Sequence, residues 1–369
     1  MPKLTQRLLV STRKGLFVLA QADDRWQIER VAFLGDNVTF ALADRRDGSW
    51  YAALNLGHFG VKLRRSVDQG ITWDELAVPT YAEGQTVATG DGKPAKPANL
   101  SLLWSLETGG TDQPGRLWAG TIPGGLFCSD DSGKSWSLVE ALWNRPERAN
   151  WFGGGYDQPG IHSICVDPRD SNCIRVAVSC AGVWQTADGG DSWRQSAHGM
   201  FAAFMPPERR DDPEIQDPHR MVQCLDAPDH FWVQHHNGVF RSTDAANSWT
   251  EVANVPPSVF GFGVAVHPHD ANGAWFVPAV KDECRVPVEG RLVVARTRDG
   301  GQSFAKLSAG LPQSKAYDLI YRHGMAIDES GDRLAIGSTS GGLWTTNDGG
   351  DHWLALDERL PPIYAMTFA

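Results

Sequence analysis

One short motif recurs along the chain and constrains its fold more than any other feature. The pattern [Ser/Thr]-x-Asp-x-Gly-x-x-[Trp/Phe] is found at residues 66–73, 129–136, 186–193, 242–249, 297–304 and 346–353. The copy at 242–249 has Ala246 in place of the glycine, and an eroded copy ends at Trp26. Successive terminal aromatics are 47 to 63 residues apart, which is typical of four-stranded propeller blades.

Each part of the motif has a physical role in a tight turn. The hydroxyl and the carboxylate can hydrogen-bond to nearby backbone N–H groups. The glycine supplies the positive φ that hairpin turns need, so Ala246 is expected to cost some turn stability. The aromatic side chain can then pack between neighbouring blades.

The strand pattern around the motifs predicts how the fold closes. A strand pair precedes each motif, the C-terminal "IYAMTFA" matches an inner strand, and the N-terminal "RLLVSTRKGLFVLA" matches the next two strands. We therefore predict an all-β, seven-bladed β-propeller of four-stranded blades, formed by residues 1–369 as one domain. The C-terminal strand would complete the first blade and leave no ring edge unpaired.

The motifs resemble the Asp-boxes, or BNR repeats, of the sialidase-like superfamily, and they cover nearly the whole chain. The resemblance implies that the motifs are structural and lie away from any active site. Sialidases also carry an Arg-Ile-Pro motif near the first blade, whereas the matching region here reads "QRLLVSTRKG". The resemblance therefore implies a hydrolase-like fold without true exo-sialidase activity, since fold alone does not fix function.

Composition excludes several classes of protein. The net charge of -10 argues against nucleic-acid binding, which usually needs a basic face. No stretch approaches the length of a membrane span, and the N-terminus has no signal-peptide core. We therefore expect a cytoplasmic protein that does not bind a membrane, with its six cysteines as reduced thiols.

Loop lengths indicate which face of the propeller carries function. Three blade-to-blade links, at about 77–101, 142–161 and 195–220, and the turn 280–290 are long. All of them belong to the face where the inner strands begin. Long loops on a rigid scaffold often carry binding residues, although these segments would also suit plain flexible insertions.

Four histidines align at positions that face the central channel. Two lie five residues before an inner-strand aspartate, and two lie where a second strand ends: His58, His162, His236 and His323. Imidazoles bind Zn, Fe or Cu and act as acids or bases near neutral pH. The alternatives are a shared metal site, a metal-free catalytic site, or four independent polar residues at strand ends. In "VQHHNG", adjacent strand residues point to opposite sides, so the two histidines have different roles. The register match with His58 and Cys180 selects His236 for the channel and leaves His235 as a structural neighbour.

Other candidate residues come from the long segments and the equivalent turn of the first blade. As catalytic groups we predict Asp157, His162, His236 and Glu283. As substrate-binding groups we predict Arg13, Tyr156, Lys281 and Arg285. The charged residues of 281–285 would be costly to bury without partners, and a solvated loop is their simpler interpretation.

Three functions fit these features. The first is a sialidase-fold hydrolase that acts on a sugar or another small polar substrate. The second is a non-catalytic scaffold that binds a protein partner, as sortilin-type domains and photosystem assembly factors with Asp-boxes do. The third is a redox or hydrolytic enzyme with a histidine-bound metal.

Overall fold

The computed structural model describes residues 7–22, 25–88, 94–356 and 359–369, and strands dominate it. No helix in this described part is long and apolar enough to cross a membrane. One α-helix, α1 (Glu140–Trp143), and four 3-10 turns (Gly57–Phe59, Pro146–Asn150, Pro213–Ile215 and Val288–Gly290) interrupt the strands. The strands are β1 (Arg7–Thr12), β2 (Gly15–Ala22), β3 (Arg25–Ala32), β4 (Val38–Ala43), β5 (Trp50–Asn55), β6 (Val61–Ser66), β7 (Asp74–Leu76), β8 (Thr86–Val87), β9 (Lys96–Pro97), β10 (Leu102–Thr108), β11 (Leu117–Ile122), β12 (Leu126–Ser129), β13 (Ser137–Leu138), β14 (Ile161–Asp167), β15 (Asp170–Val178), β16 (Gly182–Thr186), β17 (Arg194–Gln195), β18 (Pro218–Gln223), β19 (Phe231–His235), β20 (Gly238–Ser242), β21 (Thr250–Val252), β22 (Gly261–His267), β23 (Asp270–Pro278), β24 (Val294–Thr297), β25 (Ala305–Leu307), β26 (Ile320–Ile327), β27 (Leu334–Ser338), β28 (Leu343–Thr346), β29 (Leu354–Ala355) and β30 (Ile363–Phe368).

Consecutive strands pair antiparallel in groups of four, as the repeat predicts. Five sheets are separate: β4–β7, β10–β13, β14–β17, β18–β21 and β22–β25. Eight further strands form one sheet, in which the group β26–β29 meets the group of β30, β1, β2 and β3 through a single parallel bridge, His323 to Ala365. The short strands β8 and β9 pair only with each other. Because β30 pairs with β1, the C-terminal strand completes the sheet of the N-terminal strands, as predicted.

The first strands of these groups surround a central channel. They contact one another in a closed series: β4, β10, β14, β18, β22, β26, β30 and again β4. The apolar core fills the space between neighbouring sheets. One cluster joins Trp118 and Leu126 of one sheet to Ile174, Val176 and Trp184 of the next.

The repeated motifs form the turns that their sequence predicts. At 186–193, Thr186 Oγ1 accepts the Gly190 N–H at 3.1 Å and donates to Asp188 Oδ1 at 2.6 Å. The Asp188 carboxylate in turn accepts the Ser192 N–H at 2.9 Å. The copy with Ala246 keeps this bonding and holds that alanine at a φ of 66°. The eroded copy ending at Trp26 includes residues 23–24, which lie outside the described residues.

Candidate functional site

A cavity of about 810 Å³ opens where the first strands begin, and all four long segments contribute to its wall. The links and the long turn contribute residues such as Ser101, Phe152, Tyr156, Phe204 and Arg285. The large cavity therefore lies on the face that loop lengths single out. A second cavity, of about 540 Å³, lies at the opposite ends of the first strands.

Bulges at the start of the first strands aim side chains at the cavity. In β18 the pairing shifts between Pro218 and Arg220, which makes His219 the extra residue. Bulges re-aim side chains and are common beside active sites. The corresponding shifts contain Thr39, Trp104, His162, Phe262, Arg322 and Tyr364. All of these except His162 line the cavity, as His219 does.

Asp217 is the buried centre of a polar cluster on the cavity wall. Its Oδ1 accepts the backbone N–H of Cys180 at 3.2 Å and the Ser179 hydroxyl at 3.4 Å. Its Oδ2 lies 3.5 Å from Nε2 of His219 and 3.4 Å from Nδ1 of His236. One oxygen is thus fixed by the neighbouring sheet, and the other faces two imidazoles.

The two strands β18 and β19 bring this cluster together. Pro218 pairs with His235, and the His236 N–H donates to the Asp217 carbonyl at 2.9 Å. His235 is fully buried, and its Nε2 accepts the Asp217 N–H at 3.0 Å. The alternation predicted for "VQHHNG" is therefore found: His236 lines the cavity, and His235 positions Asp217 from behind.

Burial and neighbouring groups both shift the pKa values of His219 and Asp217. Burial lowers the pKa of His219, although the neighbouring Asp217 opposes the shift. Burial alone would raise the pKa of Asp217, but His219, His236 and Arg322 outweigh it and hold that pKa well below its usual range. Asp217 is therefore ionised at neutral pH, and its carboxylate faces two imidazoles.

Arg322 brings a positive charge to the cavity; Asp217 acts on this charge through space, but no direct ion pair of Arg322 is found within the described residues. Its guanidinium lies 4.9 Å from the ring centre of Trp104 and 5.2 Å from that of Phe262. Its Nε is buried and has no hydrogen-bond partner within the described residues. Burial lowers the pKa of Arg322. A buried cation of this kind is costly unless a ligand supplies oxygen atoms.

The structure does not bring together the four histidines predicted to share a metal. His162 is fully buried, with Nε2 donating to the Pro218 carbonyl at 2.7 Å and Nδ1 bonded to Ser163 Oγ at 2.9 Å. His323 lines the cavity but donates through Nε2 to the His162 carbonyl at 2.8 Å. His58 is exposed in a 3-10 turn beside Phe59. Two of these rings are therefore used in internal hydrogen bonds, and a third faces solvent.

The other predicted site residues divide between the cavity and the surface. His236, Tyr156 and Arg285 line the cavity, with Arg285 paired to Asp282. Outside the lining lie four exposed residues, of which Lys281 and Glu283 pair with each other: Arg13, Asp157, Lys281 and Glu283. The solvated-loop interpretation therefore suits Lys281 and Glu283. Buried His162 acts as a structural link between strands.

Sequence reasoning missed Asp217, His219 and Arg322. Alignment by distance from the inner-strand aspartate selected Met221 in this sheet. Asp226 follows the bulge residue His219 by seven positions, whereas Asp167 follows His162 of β14 by five. The usable signal was the alternation in "QDPHR", which places Asp217 and His219 on one side of a strand start.

The glycine run before β14 serves a close approach between chain segments. A Cβ on Gly154 would lie 2.4 Å from Cys180 Sγ, and its carbonyl accepts the Ser179 hydroxyl at 3.2 Å. Cys180 is buried, and burial raises the pKa of its thiol. The glycine run therefore lets this link pass close to Ser179 and Cys180 of the neighbouring sheet.

Comparisons with known proteins show the fold. No family model matches the chain. An oligoxyloglucan-reducing end-specific xyloglucanase from Emericella nidulans is 23% identical over 297 residues, which are 76% of this chain and 32% of that protein. The solved GH74 xyloglucanase from Xanthomonas campestris gives a TM-score of 0.65 at 18% identity, over 95% of this chain and 52% of that chain. The solved structure of YCF48 bound to D1 peptide gives a TM-score of 0.55 at 12% identity, over 97% of this chain and 86% of that chain.

These similarities confirm a propeller fold. The chain spans 32% of the curated relative that it matches and 52% of the Xanthomonas structure. The resemblance to the sialidase-like superfamily stays a prediction.

Proposed function

We propose that this seven-bladed propeller binds a carbohydrate or another small polar substrate in the 810 Å³ cavity and hydrolyses it. The observation that carries the proposal is the convergence of Asp217, His219 and His236, whose reactive atoms lie within 4.8 Å of one another. A carboxylate that faces imidazoles on a cavity wall can activate a water molecule.

The lining suits a ring-shaped, oxygen-rich substrate. Trp104, Tyr156, Phe262, Tyr321 and Tyr364 supply flat aromatic faces. Aromatic walls with a few polar groups are typical of small-molecule sites. Arg322, between two of these rings, supplies a charge for a substrate carboxylate or other anionic group.

The paired-carboxylate chemistry of many glycosidases is not what the cavity favours. The predicted carboxylates Asp157 and Glu283 lie outside its lining, and Asp282, which lines it, is paired with Arg285. Asp217 is thus the carboxylate that faces imidazoles. We therefore assign water activation to the Asp217 cluster and not to two opposed carboxylates.

The xyloglucanase similarities support a carbohydrate substrate without naming it. They link this fold to proteins described as acting on xyloglucan. Since the chain spans only part of their length, the substrate class comes from the cavity itself.

Two assays test this function. One measures the release of 4-nitrophenol from a panel of 4-nitrophenyl glycosides, including glucuronides, and the other measures the release of reducing sugar from oligosaccharides. We expect turnover by the wild type and its loss in His236→Ala. The matched control is His269→Ala, because His269 also contacts a carboxylate, Asp226 at 2.8 Å, but on the opposite face. No turnover of any substrate by the wild type, or equal turnover by His236→Ala, would overturn the proposal.

A second candidate is a peptide-binding scaffold. Phe152, Tyr156 and Phe204 on the cavity lining are 38%, 51% and 42% exposed, which would suit a partner with apolar side chains. The solved YCF48 complex shows that a similar fold can bind a peptide. A peptide that binds the wild type, but not Phe204→Ser, in the absence of any glycoside turnover would favour this alternative.

A further inference from the structure

Within the cluster of Asp217, His219 and His236, a ring nitrogen of His219 faces a carboxylate oxygen of Asp217. The Nδ1 atom of His219 lies 2.6 Å from the Gly261 carbonyl, which can only accept a hydrogen bond. Nδ1 must therefore carry the proton. In the neutral ring this leaves a lone pair on Nε2, which lies 3.5 Å from Oδ2 of Asp217.

Two electron-rich atoms that face each other in a buried site repel unless a cation lies between them. Both residues are nearly inaccessible to solvent, with relative exposures of 4% for Asp217 and 2% for His219. Water is therefore a poor substitute for a cation at this point.

We propose that Asp217 Oδ2, His219 Nε2 and His236 Nδ1 bind one divalent transition-metal ion of the zinc class. This site is argued from the positions of the three ligand atoms. It does not depend on whether the cavity hydrolyses its ligand or only binds it.

The distances fit the coordination of such an ion. Metal bonds of about 2.0–2.2 Å in a tetrahedral site place neighbouring ligand atoms about 3.4 Å apart. Oδ2 of Asp217 lies 3.5 Å from His219 Nε2 and 3.4 Å from His236 Nδ1, and all three atoms lie within 4.8 Å. Two imidazoles and one carboxylate are a donor set for zinc and neighbouring metals, and not for calcium or magnesium.

The surrounding groups orient these ligands as outer contacts of a metal site do. Gly261 holds the His219 tautomer, and the Cys180 N–H and Ser179 hydroxyl hold the other oxygen of Asp217. His235 fixes the Asp217 backbone. The most exposed ligand is His236, whose side chain is 25% exposed on the cavity lining. A fourth position open to the cavity would be available to water or substrate, as in catalytic zinc sites.

Titration of the chelator-stripped, full-length protein with Co²⁺, followed by visible absorption, tests the site. Zn²⁺ competition and elemental analysis give the stoichiometry. We expect one ion per chain, bound with a visible spectrum that differs from that of the aqueous ion. Affinity should fall at least about 100-fold in His236→Ala and in Asp217→Asn. His269→Ala should bind the metal like the wild type.

His236→Ala is the deciding variant, because this side chain is partly exposed and the fold does not depend on it as it does on Asp217. Its circular dichroism and unfolding curve should match those of the stripped wild type. Failure of the wild type to bind Co²⁺ or Zn²⁺, or binding that persists in folded His236→Ala, would overturn the site. A bound metal without glycoside turnover would overturn only the proposed hydrolysis, and turnover by a wild type that binds neither Co²⁺ nor Zn²⁺ would overturn only the metal site.

Discussion

Nε2 of His219 faces Oδ2 of Asp217 across 3.5 Å, while Nδ1 of the same ring is tied to the Gly261 carbonyl at 2.6 Å. The strand β22 of the next sheet thus fixes the tautomer of a ring on β18. Two neighbouring sheets therefore hold the position of one side chain on the cavity wall. This gives the cluster a rigid geometry that a flexible loop could not supply.

Removing the Asp217 carboxylate should destabilise the protein more than removing the His236 ring. Asp217→Ala leaves the buried Cys180 N–H without its acceptor, which costs about 1–3 kcal/mol. His236→Ala removes a partly exposed side chain and should cost less than about 1 kcal/mol. Urea unfolding of the two metal-free variants checks this order, and equal losses of unfolding free energy would contradict it.

Arg322 should select ligands that carry an anionic group. Arg322→Met keeps an apolar stem between Trp104 and Phe262 but removes the charge. A charge-assisted hydrogen bond contributes about 1.5–3 kcal/mol, so glucuronate should bind roughly 10- to 100-fold more weakly to the variant, and glucose about equally. Isothermal titration with both sugars measures this. Arg291→Met, at an exposed arginine, is the control. Unchanged glucuronate binding in Arg322→Met would refute the role.

The motif carboxylates should make the fold sensitive to acid. Hydroxyl and backbone N–H donors lower the pKa of Asp131, Asp188 and Asp299 to about 2. Their folded-state pKa is below the unfolded value of about 3.9, so their stabilisation is present above about pH 4. It is lost as the pH falls from about 4 to about 2.

Unfolding free energies measured across this pH range check that expectation. Asp188→Asn should show a shallower loss of stability than the wild type on acidification. Asp191→Asn removes a charge from an exposed side chain of the same turn and serves as control. A slope in Asp188→Asn as steep as in the wild type would mean that this carboxylate does not contribute.

Substitutions at two equivalent motif positions, Gly190 and Ala246, should change the free energy of unfolding by different amounts. Gly190 has a φ of +106°, and an added Cβ would meet Val139 only at an ordinary 3.5 Å. Gly190→Ala therefore tests the backbone alone and should cost about 1–2 kcal/mol. Ala246 lies at 66°, a left-handed conformation that other residues adopt more readily. Ala246→Gly should change the free energy of unfolding by no more than about 0.5 kcal/mol, because it relieves backbone strain in the folded state but raises the entropy of the unfolded state. Urea unfolding measures both, and a neutral Gly190→Ala would contradict the argument.

The sequence by itself determined the repeat, the four-stranded groups and the completion of the first group by the C-terminal strand. These features depend on local rules: a hydroxyl, a carboxylate and a glycine at fixed spacing form the same turn wherever they occur. Alternation along a strand also separated His236 from His235, because neighbouring side chains point to opposite sides.

Tertiary structure decided which polar residues meet. Asp217 and His219 are held by contacts to Cys180 and Gly261 from the sheets on either side, and Arg322 reaches the cavity through a bulge in β26. The turn aspartate follows the bulge residue by seven positions in β18 and by five in β14, so counting along the chain selected Met221 and missed His219. His162 shows the converse: its position in the repeat matches the cavity residues, but Nε2 is bonded to the Pro218 carbonyl of β18 and Nδ1 to Ser163 of its own strand.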